Sequence, residues 1–184
     1  MPRFMIAIVA ALAVSPAMAT EAGWAALRDG GKVVLLRHAY ATGSADPANF
    51  DIGSCATQRN LSERGKQQAR RIGSLFAARS APVERILTSR YCRARDTARI
   101  AFEDARVEDF DALDLSPADA SDTAGKVATI MKEIQDFSGS GNMVMVTHLE
   151  NIQALTGAGA REGEAVIVRP DGDRLHVLAR IVFN

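Results

Sequence analysis

Neither sign of charge is in excess: 22 Lys and Arg stand against 22 Asp and Glu. That balance argues against a nucleic-acid partner and against a polybasic membrane-binding surface. Histidines are few, three in all, and cysteines fewer, two. Neither cysteine has a Cys or His neighbour at ligand spacing, which argues against a metal site built on them. No repeat, low-complexity tract or interdomain linker interrupts the chain, and its 184 residues suit one compact domain. Past the N-terminus, no apolar stretch is long enough to span a membrane.

The N-terminus reads as a leader. Arg3 is a minimal basic region, Phe4 to Val14 an apolar one, and Ala17-Met18-Ala19 a small-x-small cleavage pattern. Residues 1–19 are therefore expected to be a signal peptide, with the mature chain starting at Thr20 and exported to the periplasm or secreted. Export changes how the cysteines read. In an oxidising compartment an even count suggests a Cys55–Cys92 bridge rather than two independent buried thiols. Such a bridge would stabilise the fold by roughly 3–4 kcal/mol.

What the sequence does contain is an apolar run that ends in chemistry. Val33-Val34-Leu35-Leu36 leads directly into Arg37-His38. An unbroken run of this length, bounded by Gly30-Gly31 and a polar loop, predicts a strand buried on both faces. Met143 to Thr147 repeats the design and delivers His148. In open α/β sheets the loops at the carboxyl ends of such strands form the ligand crevice. The third histidine, His176, falls in a terminal hairpin predicted from residues 165–169 and 175–183, with a Gly-containing turn, and reads as structural.

Between these strands, residues 39–60 form a long loop, and Ser62 caps an amphipathic helix reaching about Arg79. A short strand spans 83–88. Ser89 is expected to cap the helix that follows, whose free N–H groups would face an anion. Arg85, Arg90, Arg93, Arg95 and Arg99 crowd this stretch. Residues 103–115 make an acidic connector. A helix then carries Val127, Ile130, Met131 and Ile134 as a core stripe and ends at the Ser-Gly run 138–141. Arg37, Arg93, His38 and His148 would line one cup. Guanidinium forks match phosphate oxygens, and adjacent cations keep His38 neutral with its lone pair available. The chemistry suggested is phosphoryl transfer through a phosphohistidine.

These residues resemble the motifs of the histidine phosphatase, or phosphoglycerate-mutase-like, superfamily. Leu36-Arg37-His38-Ala39 is similar to its L-R-H-G signature, with Ala in place of Gly. Ser89 to Ala98 is similar to its S-x-x-x-R-A-x-x-T-A segment, and Thr147-His148 to its second histidine. Cys55 to Ser62 is similar to exported bacterial members. The resemblance implies a three-layer α/β/α sandwich with a mostly parallel central sheet over residues 20–184. It implies His38 as nucleophile, with Arg37, Arg93, His148 and Ser44 on the phosphate, and no cofactor. The family's general acid follows a strand in an L-x-E pattern, where Leu113-Asp114 is one residue short, or follows the second histidine, where Glu150 comes one position late. Asp114 is the first choice and Glu150 the second.

The expected activity is metal-independent hydrolysis of phosphomonoesters. The substrate would be a small phosphorylated molecule or a phosphorylated envelope component, such as a lipopolysaccharide sugar. Removal of phosphate from a protein histidine is an alternative, and a catalytically weak phosphate-binding module is another.

Overall fold

A computed structural model describes residues 16–103, 105–115 and 120–184. Most of the expected leader lies outside the described residues. Helix α1 spans Pro16–Arg28, so it begins before Thr20, the expected mature start. Strand β1 (Val33–Arg37) follows, then a loop holding a short 3-10 turn at Cys55–Thr57. The remaining elements are α2 (Glu63–Ala78), β2 (Val83–Thr88), α3 (Cys92–Ala101), β3 (Val107–Asp109), α4 (Ala120–Asp136), β4 (Asn142–Thr147), α5 (Leu149–Thr156), β5 (Glu164–Asp171) and β6 (Arg174–Val182).

The strands form one six-stranded sheet in the order β3-β2-β4-β1-β5-β6. The first four are mutually parallel. β5 runs antiparallel to β1, and β6 antiparallel to β5. The apolar run of β1 is explained by its central place. Val34 and Leu36 pack on one face with Trp24, Ile72, Phe76 and Ala98 from α1, α2 and α3. Val33 and Leu35 pack on the other with Ile130, Ile134 and Ile152 from α4 and α5. Alternate side chains of a strand point to opposite faces, so a strand covered twice must be apolar throughout. Each such burial is worth roughly 1.5–3 kcal/mol. The expected three-layer α/β/α architecture is the one observed.

Local signals explain several boundaries. Ser62 caps α2 as expected, its hydroxyl accepting from Gly65 N–H at 3.0 Å. Gly30, at φ +70°, ends the α1 turn where any Cβ would sit 2.0 Å from the Ser140 carbonyl oxygen. One expectation fails: Ser89 does not cap α3. The helix begins two residues later, at Cys92 after Tyr91, with no side-chain cap. Its first amide, Cys92 N–H, donates to Gln58 Oε1 at 2.9 Å. Gln58 thus occupies the helix terminus expected to face an anion, and the Ser89 hydroxyl is free for other partners. Among the described residues, no helix is long and apolar enough to cross a membrane.

Candidate active site

The parallel pairing of β1 with β4 places Arg37 opposite Thr147, so both strands end at one level and release their histidines side by side. The His38 and His148 rings are 5.4 Å apart, edge to face. Both are buried, His38 at 2% and His148 at 1% exposure. Burial lowers both pKa values, and the arginines around them add to the effect. His38 comes down to about 3, with Arg93, Arg37 and Arg59 contributing, and His148 falls well below the ordinary imidazole value. Both rings are therefore neutral at physiological pH.

The tautomers follow from their partners. His38 Nδ1 lies 2.8 Å from the Ala39 carbonyl oxygen. A carbonyl only accepts, so Nδ1 carries the proton and the lone pair sits on Nε2. His148 Nε2 lies 2.9 Å from Ser89 Oγ, which also lies 2.9 Å from Asp114 Oδ1. A hydroxyl has one proton. With that proton given to the Asp114 carboxylate, His148 Nε2 must donate to Ser89, which leaves the lone pair of the neutral ring on Nδ1. Asp114 in turn accepts from Arg90 Nε and Arg90 N–H, each at 2.7 Å. A chain of four residues therefore ends at the second imidazole.

Arg93 extends from α3 and is nearly fully buried. Thr97, one turn further on, accepts from Ala39 N–H at 2.9 Å and donates to the Arg93 carbonyl at 2.7 Å, clasping the helix to the end of β1. Ala39 tolerates its methyl because it does not adopt positive φ, which among described non-glycine residues occurs only at Ser80. Arg93 Nη1 donates to Asp46 Oδ1 at 3.0 Å, and Arg37 Nη1 to the Ala160 carbonyl at 2.8 Å. Burial pulls the Arg93 pKa down, with Asp46 acting against it. Among the described residues, three buried atoms of the cup have no hydrogen-bond partner: Arg37 Nε, Arg93 Nε and His148 Nδ1. Buried polar groups are rarely left so.

Of the expected site residues, Arg37, His38, Arg93 and His148 come together. Asp114 is adjacent but reaches the cup only through Ser89. Glu150 is exposed in the first turn of α5. Ser44 is exposed in the loop after β1 and, among the described residues, bonds to none of the cup's side chains.

Several participants carried no sequence signal strong enough to single them out. The largest is Glu162. Its Oε1 lies 2.6 Å from Arg59 Nη2, 3.9 Å from His38 Nδ1 and 4.0 Å from Arg37 Nη2. The next residue, Gly163, donates its N–H to the His38 and Arg37 carbonyls at 3.0 and 3.2 Å. At φ +72°, with Gln68 where a Cβ would go, this position requires glycine. Arg59 and Asp46 come from the long loop. The expected Cys55–Cys92 disulfide is formed and pins that loop to the start of α3.

Residues 33–114 match the family model described as histidine phosphatase superfamily (branch 1). No curated protein sequence matches the chain. Among solved structures, the protein histidine phosphatase SixA complexed with tungstate aligns with a TM-score of 0.61 at 16% identity, covering 82% of this chain and 96% of its own. A mycobacterial glucosyl-3-phosphoglycerate phosphatase in complex with VO3 aligns at 0.61 and 18% identity, covering 83% and 98%. A phosphoserine phosphatase variant from Entamoeba histolytica, in complex with phosphoserine, aligns at 0.59 and 13% identity, covering 81% and 95%. At these identities the likeness is one of fold.

Proposed function

We propose that the chain is a member of the histidine phosphatase superfamily, whose model residues 33–114 match, and that it is an exported phosphatase that hydrolyses phosphomonoesters through a phosphohistidine on His38. One observation carries the reading. The buried Arg93 and half-buried Arg37 guanidiniums and the buried His148 imidazole each keep an unpartnered buried nitrogen at the cup, beside the neutral His38 imidazole. A phosphoryl group supplies oxygens for the two guanidinium donors and, when it carries a proton, a donor for the His148 lone pair.

In this reading His38 Nε2 attacks phosphorus as the ester P–O bond breaks, and the leaving oxygen departs with the bond pair and is protonated by water, while Nδ1–H stays bonded to the Ala39 carbonyl. Arg37 and Arg93 donate to the non-bridging oxygens, whose charge spreads in the transition state. His148 Nδ1 meets the same oxygens. The proton of a monoanionic phosphate ester passes to it, and Ser89 and Asp114 stabilise the resulting imidazolium. Positive charge also appears on the phosphorylated His38 ring, and Glu162 faces that ring's Nδ1 edge. Water then cleaves the P–N bond and returns the electron pair to Nε2. The cations of the cup are all side chains, so the scheme uses no metal.

The test is turnover of para-nitrophenyl phosphate by the mature protein. Activity that survives EDTA and is inhibited by vanadate supports the reading, whereas phosphate binding without turnover favours a binding module. Export has its own support in the leader pattern and the disulfide. Cleavage before Thr20 would remove the first four residues of α1, and N-terminal sequencing of the exported protein should begin Thr-Glu-Ala.

A further inference from the structure

The rim of the cup is aromatic. Phe50 is 37% exposed and is one of two large exposed hydrophobic residues among those described. It stacks on Tyr91 at 5.0 Å with planes 22° apart. Tyr91 meets His148 edge to face at 4.9 Å, and His148 meets His38 at 5.4 Å. Rings thus step without a break from solvent to the nucleophile. The Arg93 guanidinium lies over Tyr91 at 4.7 Å, so one ring separates the phosphate-binding cation from exposed Phe50.

This rim is built and held. The Cys55–Cys92 bridge and the Gln58 bond to Cys92 N–H fasten the loop beside Tyr91. Gln58 Nε2 also donates to the Asp51 and Ile52 carbonyls, each at 3.0 Å, immediately after Phe50. An apolar ring left in water yet fixed from both sides suits a partner ring.

A second observation concerns protons. Three carboxylates beside the cup, Asp46, Asp114 and Glu162, each accept from an arginine, at 3.0, 2.7 and 2.6 Å, and Glu150 is exposed in the first turn of α5. Each gives at least one oxygen to a guanidinium, and Asp114 gives both to Arg90 and Ser89, rather than to a leaving group. An alkoxide needs such a donor, whereas a phenolate or a ring nitrogen departs far more readily.

Resting on the phosphatase reading above, we propose that the Phe50–Tyr91 rim is a leaving-group subsite and that the substrate carries its phosphoryl group on a flat aromatic ring. His38 Nε2 forms the new P–N bond as the bond from phosphorus to the ring's oxygen or nitrogen breaks. The bond pair stays on the ring, which leaves as a phenolate that water protonates or, from a protonated ring, as neutral imidazole. The ring stacks against Phe50 as it departs.

The test separates the subsite from the chemistry. Phenylphosphonate and methylphosphonate share a head group that this mechanism does not cleave, and their affinities for the mature protein are read by calorimetry. Wild type should favour the phenyl compound about tenfold. Phe50→Ala should bring that preference towards parity and Phe50→Trp should restore it. Equal affinities in wild type, or a preference untouched in Phe50→Ala, overturn the subsite. If neither phosphonate nor inorganic phosphate binds, the cup itself fails and the subsite with it. Hydrolysis of phosphotyrosine and phosphohistidine peptides tells oxygen-linked from nitrogen-linked rings. Faster turnover of either than of glycerol phosphate supports the proposal, and the reverse order ends it.

Discussion

The ends of β1 and β4 look alike and are wired differently. Each strand is apolar to its last turn, each delivers a histidine, and the two are hydrogen-bonded neighbours in the sheet. At the β1 end the contact is local: His38 bonds to the carbonyl of the next residue. At the β4 end it is remote: His148 bonds to Ser89, 59 residues away, and through it to Asp114 and Arg90. A nucleophile needs a fixed tautomer and a free lone pair, which backbone alone can provide. A group that exchanges a proton with the phosphate oxygens gains from a charge behind it, and that charge must come from another element.

The largest test of this difference replaces each ring. His38→Ala should lower turnover of para-nitrophenyl phosphate by roughly 10⁴-fold or more with an unchanged circular-dichroism spectrum, because no bond to phosphorus can form. His148→Ala should cost roughly 10²–10³-fold, the size of a lost transition-state donor. Equal losses would erase the distinction between the two ends.

Smaller changes test the wiring. Asp114→Asn should lower kcat roughly tenfold in the wild-type background and add almost nothing on top of His148→Ala, since coupled residues are non-additive. A full further loss in the double variant would mean that Asp114 does not act through His148. At the other end, Glu162→Gln should weaken vanadate binding about tenfold more than phosphate binding, because only vanadate mimics the bonded, positively charged His38 ring. Matching changes for both anions would reduce Glu162 to a partner for Arg59.

The last test is thermodynamic. The pKa of His38 is lowered from 6.5 to about 3, and that of His148 is lowered too. Below 6.5 the unfolded chain binds protons that the folded protein refuses, so stability falls as pH drops from 6.5 towards 3. Each unit of depression is worth ~1.4 kcal/mol. Urea unfolding at stepped pH should show this slope, and His38→Ala should flatten part of it. An unchanged slope would mean that burial of this ring does not govern acid stability.

How much of this was legible depends on how local each cause is. The central strands could be read because double burial forces an unbroken apolar run, and the caps and glycine stops because they act within one turn. Arg93 could be placed because its helix follows a strand directly. Ser89 was read as a cap and instead links His148 to Asp114. A serine before a helix looks the same in either role, and here Gln58, from a loop 34 residues earlier, had taken the helix terminus. Glu162 is the clearest omission. Residues 165–169 and 175–183 read as a hairpin, but nothing local says which strand that hairpin joins.

The sequence by itself determined the strand ends, the surroundings of His38 and the pair of cysteines, since periodicity, charge and composition are properties of short stretches. The tertiary structure alone decided the rest. Because β5 runs antiparallel to β1, the segment entering it arrives at the rim where His38 stands, and Glu162 arrives with it. Strand direction is set by how whole faces pack across the sheet, a long-range choice that no stretch of residues encodes on its own.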